Sequence, residues 1–193
     1  MTRFWFGLFV STVLTSTLFV NQAMAHPHVW VDSQYDVTVE RAQIDHLEAT
    51  WGLDLFTSTS LIAEYDIDAD GAFTGQEKLD MIEVLTSFDK YGYFIKMKQD
   101  GVDMTPKDVR ILDVSIRDMM LWVRLGIDLP SSVNLETTTL SLAFGDDELY
   151  FAMEPLEEGL VRLSGALSEA CTPVEREATE TSVAFWVDLT CRS

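Results

Sequence analysis

The sequence predicts an α+β fold: a mainly antiparallel β-sandwich interrupted by one helix–EF-hand loop–helix excursion. Three observations lead there. Short stretches through most of the chain alternate apolar and polar side chains. Over residues 57–90 the apolar spacing changes to three or four. Inside that interval lies an acidic twelve-residue stretch with the spacing of a calcium loop.

The chain opens on a targeting segment. Arg3 is the sole charge ahead of the apolar run Phe4 to Val20, and Ala23-Met24-Ala25 has the small residues of a cleavage site. Residues 1–25 therefore read as a signal peptide and 26–193 as a single periplasmic domain beginning at His26. No later stretch reaches the roughly 20 apolar residues a bilayer-spanning helix needs, so no membrane insertion is expected after cleavage.

A β-hairpin comes next. Val29, Val31, Tyr35, Val37 and Val39 share one face, and His28, Asp32, Gln34, Asp36 and Thr38 share the other. Ile44 to Phe56 alternates too, with Leu47, Ala49, Trp51, Leu53 and Leu55 apolar, and Glu40 to Gln43 supplies the turn. Thr57 or Ser58 can then cap an entering helix running through Tyr65.

Asp66 to Glu77 follows the requirements of one calcium ion. Asp66, Asp68 and Asp70 supply carboxylates at loop positions 1, 3 and 5. Ala72 offers its carbonyl at position 7, Thr74 binds through water at position 9, and Glu77 closes the shell in bidentate fashion at position 12. Gly71 stands where the chain turns with positive φ, and Phe73 fills the apolar anchor position. Leu79, Ile82, Leu85 and Phe88 then recur every three residues as on an exiting helix, broadened by Val84. Asp89 to Phe94 reads as a return to strand.

The remainder is strand-like: Phe94–Lys98, Val109–Val114, Met119–Asp128, Thr138–Phe144, Leu149–Glu154 and Val183–Leu189. Asp100-Gly101 predicts a hairpin turn, and Leu129-Pro130-Ser131-Ser132 a loop. Gly145 to Tyr150 reads as a connection between strands rather than a site.

Charge and cysteine usage narrow the function. The formal charge is −19; taking 25 residues from 193 leaves 168 and removes only Arg3, making it −20. That balance excludes nucleic acid and anionic membrane as natural partners and suits cations. The two cysteines, Cys171 and Cys191, lack a Cys-x-x-Cys pattern, so one structural disulfide is expected, with a redox or metal thiol pair as the alternative.

Two of the three histidines open the mature chain as His26-Pro27-His28. Cleavage before His26 would place a free α-amine beside its own imidazole, a two-nitrogen chelate for a transition metal, and His28 could add a third nitrogen. Pro27 has no backbone N–H, which closes the square-planar mode that uses a deprotonated second amide. The bland alternative is a frayed terminus before a strand. His46 lies near the hairpin turn, about nine rungs or about 30 Å from His28, so it belongs to solvated surface beside Glu48. A further ligand for His26 and His28 would come from Asp32 or the acidic loop. No nucleophile elbow, phosphate-cradling glycine loop, His-Glu-x-x-His or dinucleotide fingerprint occurs, so no catalytic residue is assigned.

Together, the signal peptide, the start His26-Pro27-His28-Val29-Trp30-Val31-Asp32, the loop Asp66–Glu77 and the segment Tyr91-Gly92-Tyr93-Phe94 resemble an uncharacterised family of bacterial periplasmic proteins, a domain of unknown function. The resemblance implies association with ABC-type transport, often beside nickel, cobalt or zinc transporters. The expected function is that of a non-enzymatic, secreted calcium-binding accessory protein that handles nickel, cobalt, zinc or copper for an inner-membrane transporter. Two other classes stay open. One is a calcium-stabilised interaction module with no transition-metal role; the other is a copper enzyme using an N-terminal histidine brace.

Overall fold

The computed structural model describes residues 28–192; residues 1–25, read above as a signal peptide, and His26 lie outside them. The fold is mostly β, with two α-helices. The predicted hairpin is present: β1 (Val29–Thr38) and β2 (Gln43–Leu53) pair antiparallel, with Tyr35 opposite Ala49. Strand β2 stops three residues early because Asp54 caps α1 (Leu55–Tyr65). Its carboxylate accepts from the Thr57 N–H at 2.9 Å and the Thr57 hydroxyl at 2.8 Å, so Asp54, rather than Thr57 or Ser58, is the cap. Burial alone would raise the Asp54 pKa, but donors from Thr57 and from the Trp30 N–H outweigh it and hold the group below its ordinary value. Ser58 is buried instead and ties α1 to the sheet, donating to the Leu53 carbonyl and accepting from the Leu121 N–H, each at 2.9 Å.

Helix α2 (Gly75–Thr86) buries Met81 and Leu85, whereas Leu79 points outward at 59% exposure. Ile82, Leu85 and Phe88 of the expected stripe pack inward, and Met81 rather than Leu79 completes it. Residues 87–94 are not a strand but a 3-10 segment, with Gly92, Tyr93 and Phe94 all at positive φ. Left-handed backbone at a non-glycine residue costs on the order of 1–3 kcal/mol. Burying an aromatic side chain returns about 1.5–3 kcal/mol, and Tyr93 and Phe94 are both buried. Tertiary packing thus overrides the local preference: the Phe94 ring lies 4.7 Å from Phe151 and 5.6 Å from Phe88.

The remaining strands are β3 (Ile95–Gln99), β4 (Val102–Met104), β5 (Asp108–Arg117), β6 (Met120–Asn134), β7 (Leu140–Phe144), β8 (Phe151–Pro155), β9 (Val161–Ser164), β10 (Cys171–Glu177) and β11 (Phe185–Cys191). Asp100-Gly101 makes the predicted two-residue turn between β3 and β4, both residues at positive φ. Strand β6 runs on through the predicted loop at 129–132. The register shift there, where His46 faces Asp128 but Ile44 faces Val133, bulges Pro130 out of the ladder, where its missing N–H matters least.

Two sheets result. The first has the order β5-β6-β2-β1-β8, with β9 also paired to β1; the second has the order β10-β11-β7-β3-β4. The first is mixed, because β1 pairs parallel with both β8 and β9; the sequence had suggested a mainly antiparallel arrangement. One apolar cluster draws on both sheets and both helices, with Tyr35, Trp51, Met81, Leu125 and Leu142 fully or almost fully buried. Tyr35 stacks on Phe144 at 4.2 Å and donates its hydroxyl to the Ala143 carbonyl at 2.9 Å, linking the sheets. Burial raises its pKa well above the ordinary value. Tyr35→Phe leaves that carbonyl without this donor, and the denaturant midpoint should report a loss of about 0.5–1.5 kcal/mol. A full-strength Tyr35→Phe protein would assign the linkage to ring packing alone.

Candidate metal centre

Helix α1 ends as Asp66 N–H donates to the Ile62 carbonyl, and the chain then folds back on itself. Oxygen atoms of Asp66, Asp68 and Asp70 come within 4.8 Å of one another. Backbone donors hold them there. The Asp70 N–H reaches Asp66 Oδ1 and Asp68 Oδ1, both at 3.2 Å, and Gly71 N–H reaches Asp66 Oδ2 at 3.1 Å. Ala72 N–H donates to Asp70 Oδ1 at 2.9 Å. Gly71 has φ +83°, and a Cβ there would meet nothing within 4 Å. Backbone conformation, not space, accounts for glycine at this turn. Phe73 is buried and anchors the loop against the core.

Glu77 reaches back from the first turn of α2. Its Oε1 accepts from Ile67 N–H at 2.8 Å and Asp68 N–H at 3.3 Å, and its Oε2 accepts from Thr74 N–H at 3.3 Å. The Thr74 donor acts most strongly; desolvation opposes it, and with the Ile67 and Asp68 donors added the carboxyl is held below its ordinary value. The donor set of this loop is entirely hard oxygen, which fits calcium and not a thiophilic or imidazole-seeking metal.

His28 and His46 stand apart from this loop and from each other. His28 is exposed; its N–H donates to the Tyr150 carbonyl at 2.8 Å and its ring lies 4.9 Å from the Tyr150 ring. Neither suggested partner reaches it. Asp32 is four strand residues away, about 13 Å. The acidic loop begins a full helix beyond the hydrogen bonds joining Asp54 to Trp30, about 16 Å along α1. His46 hydrogen-bonds Asp128 at 2.8 Å in a surface group that also holds Arg110. Arg110 first and His46 second lower the Asp128 carboxyl to about 2. Asp146, which the sequence left inside a connecting stretch, is buried and accepts from the N–H groups of Glu148, Tyr150 and Phe151. It fixes the turn that presents Tyr150 to His28. Cys171 and Cys191 face each other across β10 and β11 and form the disulfide. Among the described residues no helix is long and apolar enough to cross a membrane.

A mostly β fold with one acidic loop suspended between two helices is the class these features define. Residues 11–185 match the family described as "Protein of unknown function (DUF1007)", and the chain belongs to it. An uncharacterized protein of Haemophilus influenzae is 25% identical over 150 residues, covering 77% of this chain and 71% of that one.

Proposed function

We propose that this is a secreted, periplasmic calcium-binding accessory protein that handles nickel, cobalt, zinc or copper for an inner-membrane transporter. In this reading residues 1–25 direct export, residues 26–193 form one β-sandwich domain, and the 57–90 segment is an EF-hand-like insertion. The observation that carries the calcium half is the convergence of Asp66, Asp68 and Asp70 on one point, with Glu77 folded back over the same loop. Asp66, Asp68, Asp70, the Ala72 carbonyl, Thr74 and Glu77 would hold the ion, which supplies the positive charge that lets these carboxylates share one turn. Loading would fix α2 relative to α1.

The transition-metal half rests on His26 and His28. The exposed His28 ring, at the point where the described fold begins, supports it. The test is isothermal titration of nickel and copper into protein that starts at His26. An added residue before His26 displaces the amine from its imidazole and should weaken binding about tenfold or more, that is by at least about 1.4 kcal/mol. His26→Ala should weaken it as strongly and His28→Ala measurably. His46→Ala should do little, since that ring is engaged by Asp128. Equal affinity with the amine blocked and both N-terminal histidines replaced would leave the calcium-stabilised interaction module as the better reading.

A further inference from the structure

The face of the first sheet that carries Asp32, Thr50, Trp122 and Arg124 holds a groove of about 740 Å³, within the size range of small-molecule sites. Its two sides carry opposite charge. On the β5–β6 side the Trp122 indole lies flat across β2, where a Cβ on Gly52 would meet it at 2.9 Å. The Arg117 guanidinium stacks on that indole, 4.3 Å from its centre. Among the described residues Arg117 makes no ion pair, so its hydrogen-bond fork is fixed in place and unspent. Arg124 stands on the same side. Its cross-strand neighbour Asp113 is engaged by Lys78 of α2, leaving Arg124 only a 3.8 Å contact with Glu48.

The β1 side is acidic. Asp32 faces Glu154 across the parallel pair and lies near Glu157 of the following turn. Among the described residues it pairs with no cation. Burial first, and the charge of Glu157 second, raise its pKa, as expected for a carboxylate in want of a counter-charge. The third arginine of the groove, Arg162, is already committed to Asp36 at 2.6 Å. The floor between the two sides is rigid and polar: Thr50 bonds Asp36, and Gln34, almost fully buried, donates to the Gly159 carbonyl at 2.9 Å and pins the acidic turn.

We propose that this groove binds a short peptide with free termini, its carboxylate received by Arg117 and Arg124 and its ammonium by Asp32 and Glu157. Spacing sets the length. Arg124 lies on β6, and the guanidinium of Arg117, from β5, sits over Trp122 of β6; from β6 across β2 to β1 is two strand spacings, about 10 Å. A single amino acid separates its charges by too little to reach both sides, whereas two or three extended residues at about 3.3–3.6 Å each span the gap. Arg117 and Asp32, of opposite sign and each without an ion pair among the described residues, favour a dipolar ligand over a simple anion or cation. This assignment is independent of calcium and of the N-terminal histidines.

The experiment is saturation-transfer NMR followed by isothermal titration, using the mature protein with a mixture of free di- and tripeptides that includes trialanine. Glycine and N-acetyl-trialanine amide serve as comparisons. Free peptides should bind saturably, and the capped peptide and glycine at least tenfold more weakly. Arg117→Gln and Asp32→Asn should each weaken binding at least tenfold while leaving the circular dichroism and melting curve unchanged, since both side chains lie on the sheet's outer face. Absence of saturable binding by every free peptide, or equal binding of capped and free trialanine, or full affinity in both variants, overturns the proposal.

Discussion

Glu77→Gln is expected to abolish most of the calcium-dependent rise in melting temperature. The loop has no partner loop beside it among the described residues, which places its affinity in the weak class, with Kd on the order of 10⁻⁴ to 10⁻³ M. At calcium one hundred times Kd, binding to the native state alone adds about 2.7 kcal/mol. For a domain of this size that is roughly 5–10 °C in Tm. Glu77 is the residue to change because its two oxygens bridge the ends of the loop, meeting Ile67, Asp68 and Thr74. Glutamine keeps one acceptor oxygen for those N–H groups, so the calcium-free fold should persist. It loses the charge and the second oxygen, and with them the bidentate closure. Thermal unfolding with calcium and with chelator separates the two effects. A rise as large in the variant as in the parent would remove calcium from the function proposed for this loop.

Opening the disulfide should cost about 3 kcal/mol on the chain-entropy account, in which a cross-link over some twenty residues restricts the unfolded chain. The fold adds a local reason. Strand β10 is the last strand of its sheet, and of its seven residues only Cys171 is buried. With so little apolar area of its own, β10 relies on β11 and on the cross-link to stay docked. A Cys171→Ala, Cys191→Ala double variant should therefore lose denaturant stability and show its largest gain in hydrogen exchange in β10, with the β1–β2 hairpin much less affected. Thiol labelling of denatured parent protein without reductant should find no free sulfhydryl. Two labelled thiols, or a variant as stable as the parent, would remove the structural role.

Features carried by nearby residues were legible in the sequence. The acidic loop repeats its ligands within twelve positions, the β1–β2 hairpin alternates along most of its length, and Asp100-Gly101 is a turn by its own backbone preferences. Features created by distant residues were not. Alternation shows which face of β1 is buried but not that its partners on one side are β8 and β9, running parallel. Tyr91 to Phe94 has the composition of a strand, and only the aromatic cluster that receives Phe94 explains its left-handed turn. The cap of α1 was missed because Asp54 was absorbed into an alternating pattern that continued through Leu55. The peptide groove gathers residues from Asp32 to Arg162, and none carries a local signature. A signal was present in one respect: Arg117 and Arg124 flank Trp122 in one short stretch, and only pairing across strands brings the three together.

The position of β1 has a consequence for how the chain reaches its native state. Among the described residues it is the first strand to be made, and it ends up inside its sheet, with β2 on one edge and β8 and β9 on the other. The β2 edge is satisfied as soon as residue 53 is available. The opposite edge, from Val29 to Thr38, has to wait for residues 151–164. Until then a hairpin with one open, valine-rich edge exists without its cover, the kind of edge that recruits other chains. Closing it requires bringing together segments more than a hundred residues apart, an entropic search that places folding on the slow side for a domain of this length. A chain that emerges from its N-terminus therefore spends nearly the whole of its emergence with its central strand half-paired, and any factor that shields extended, apolar segments has its natural target there.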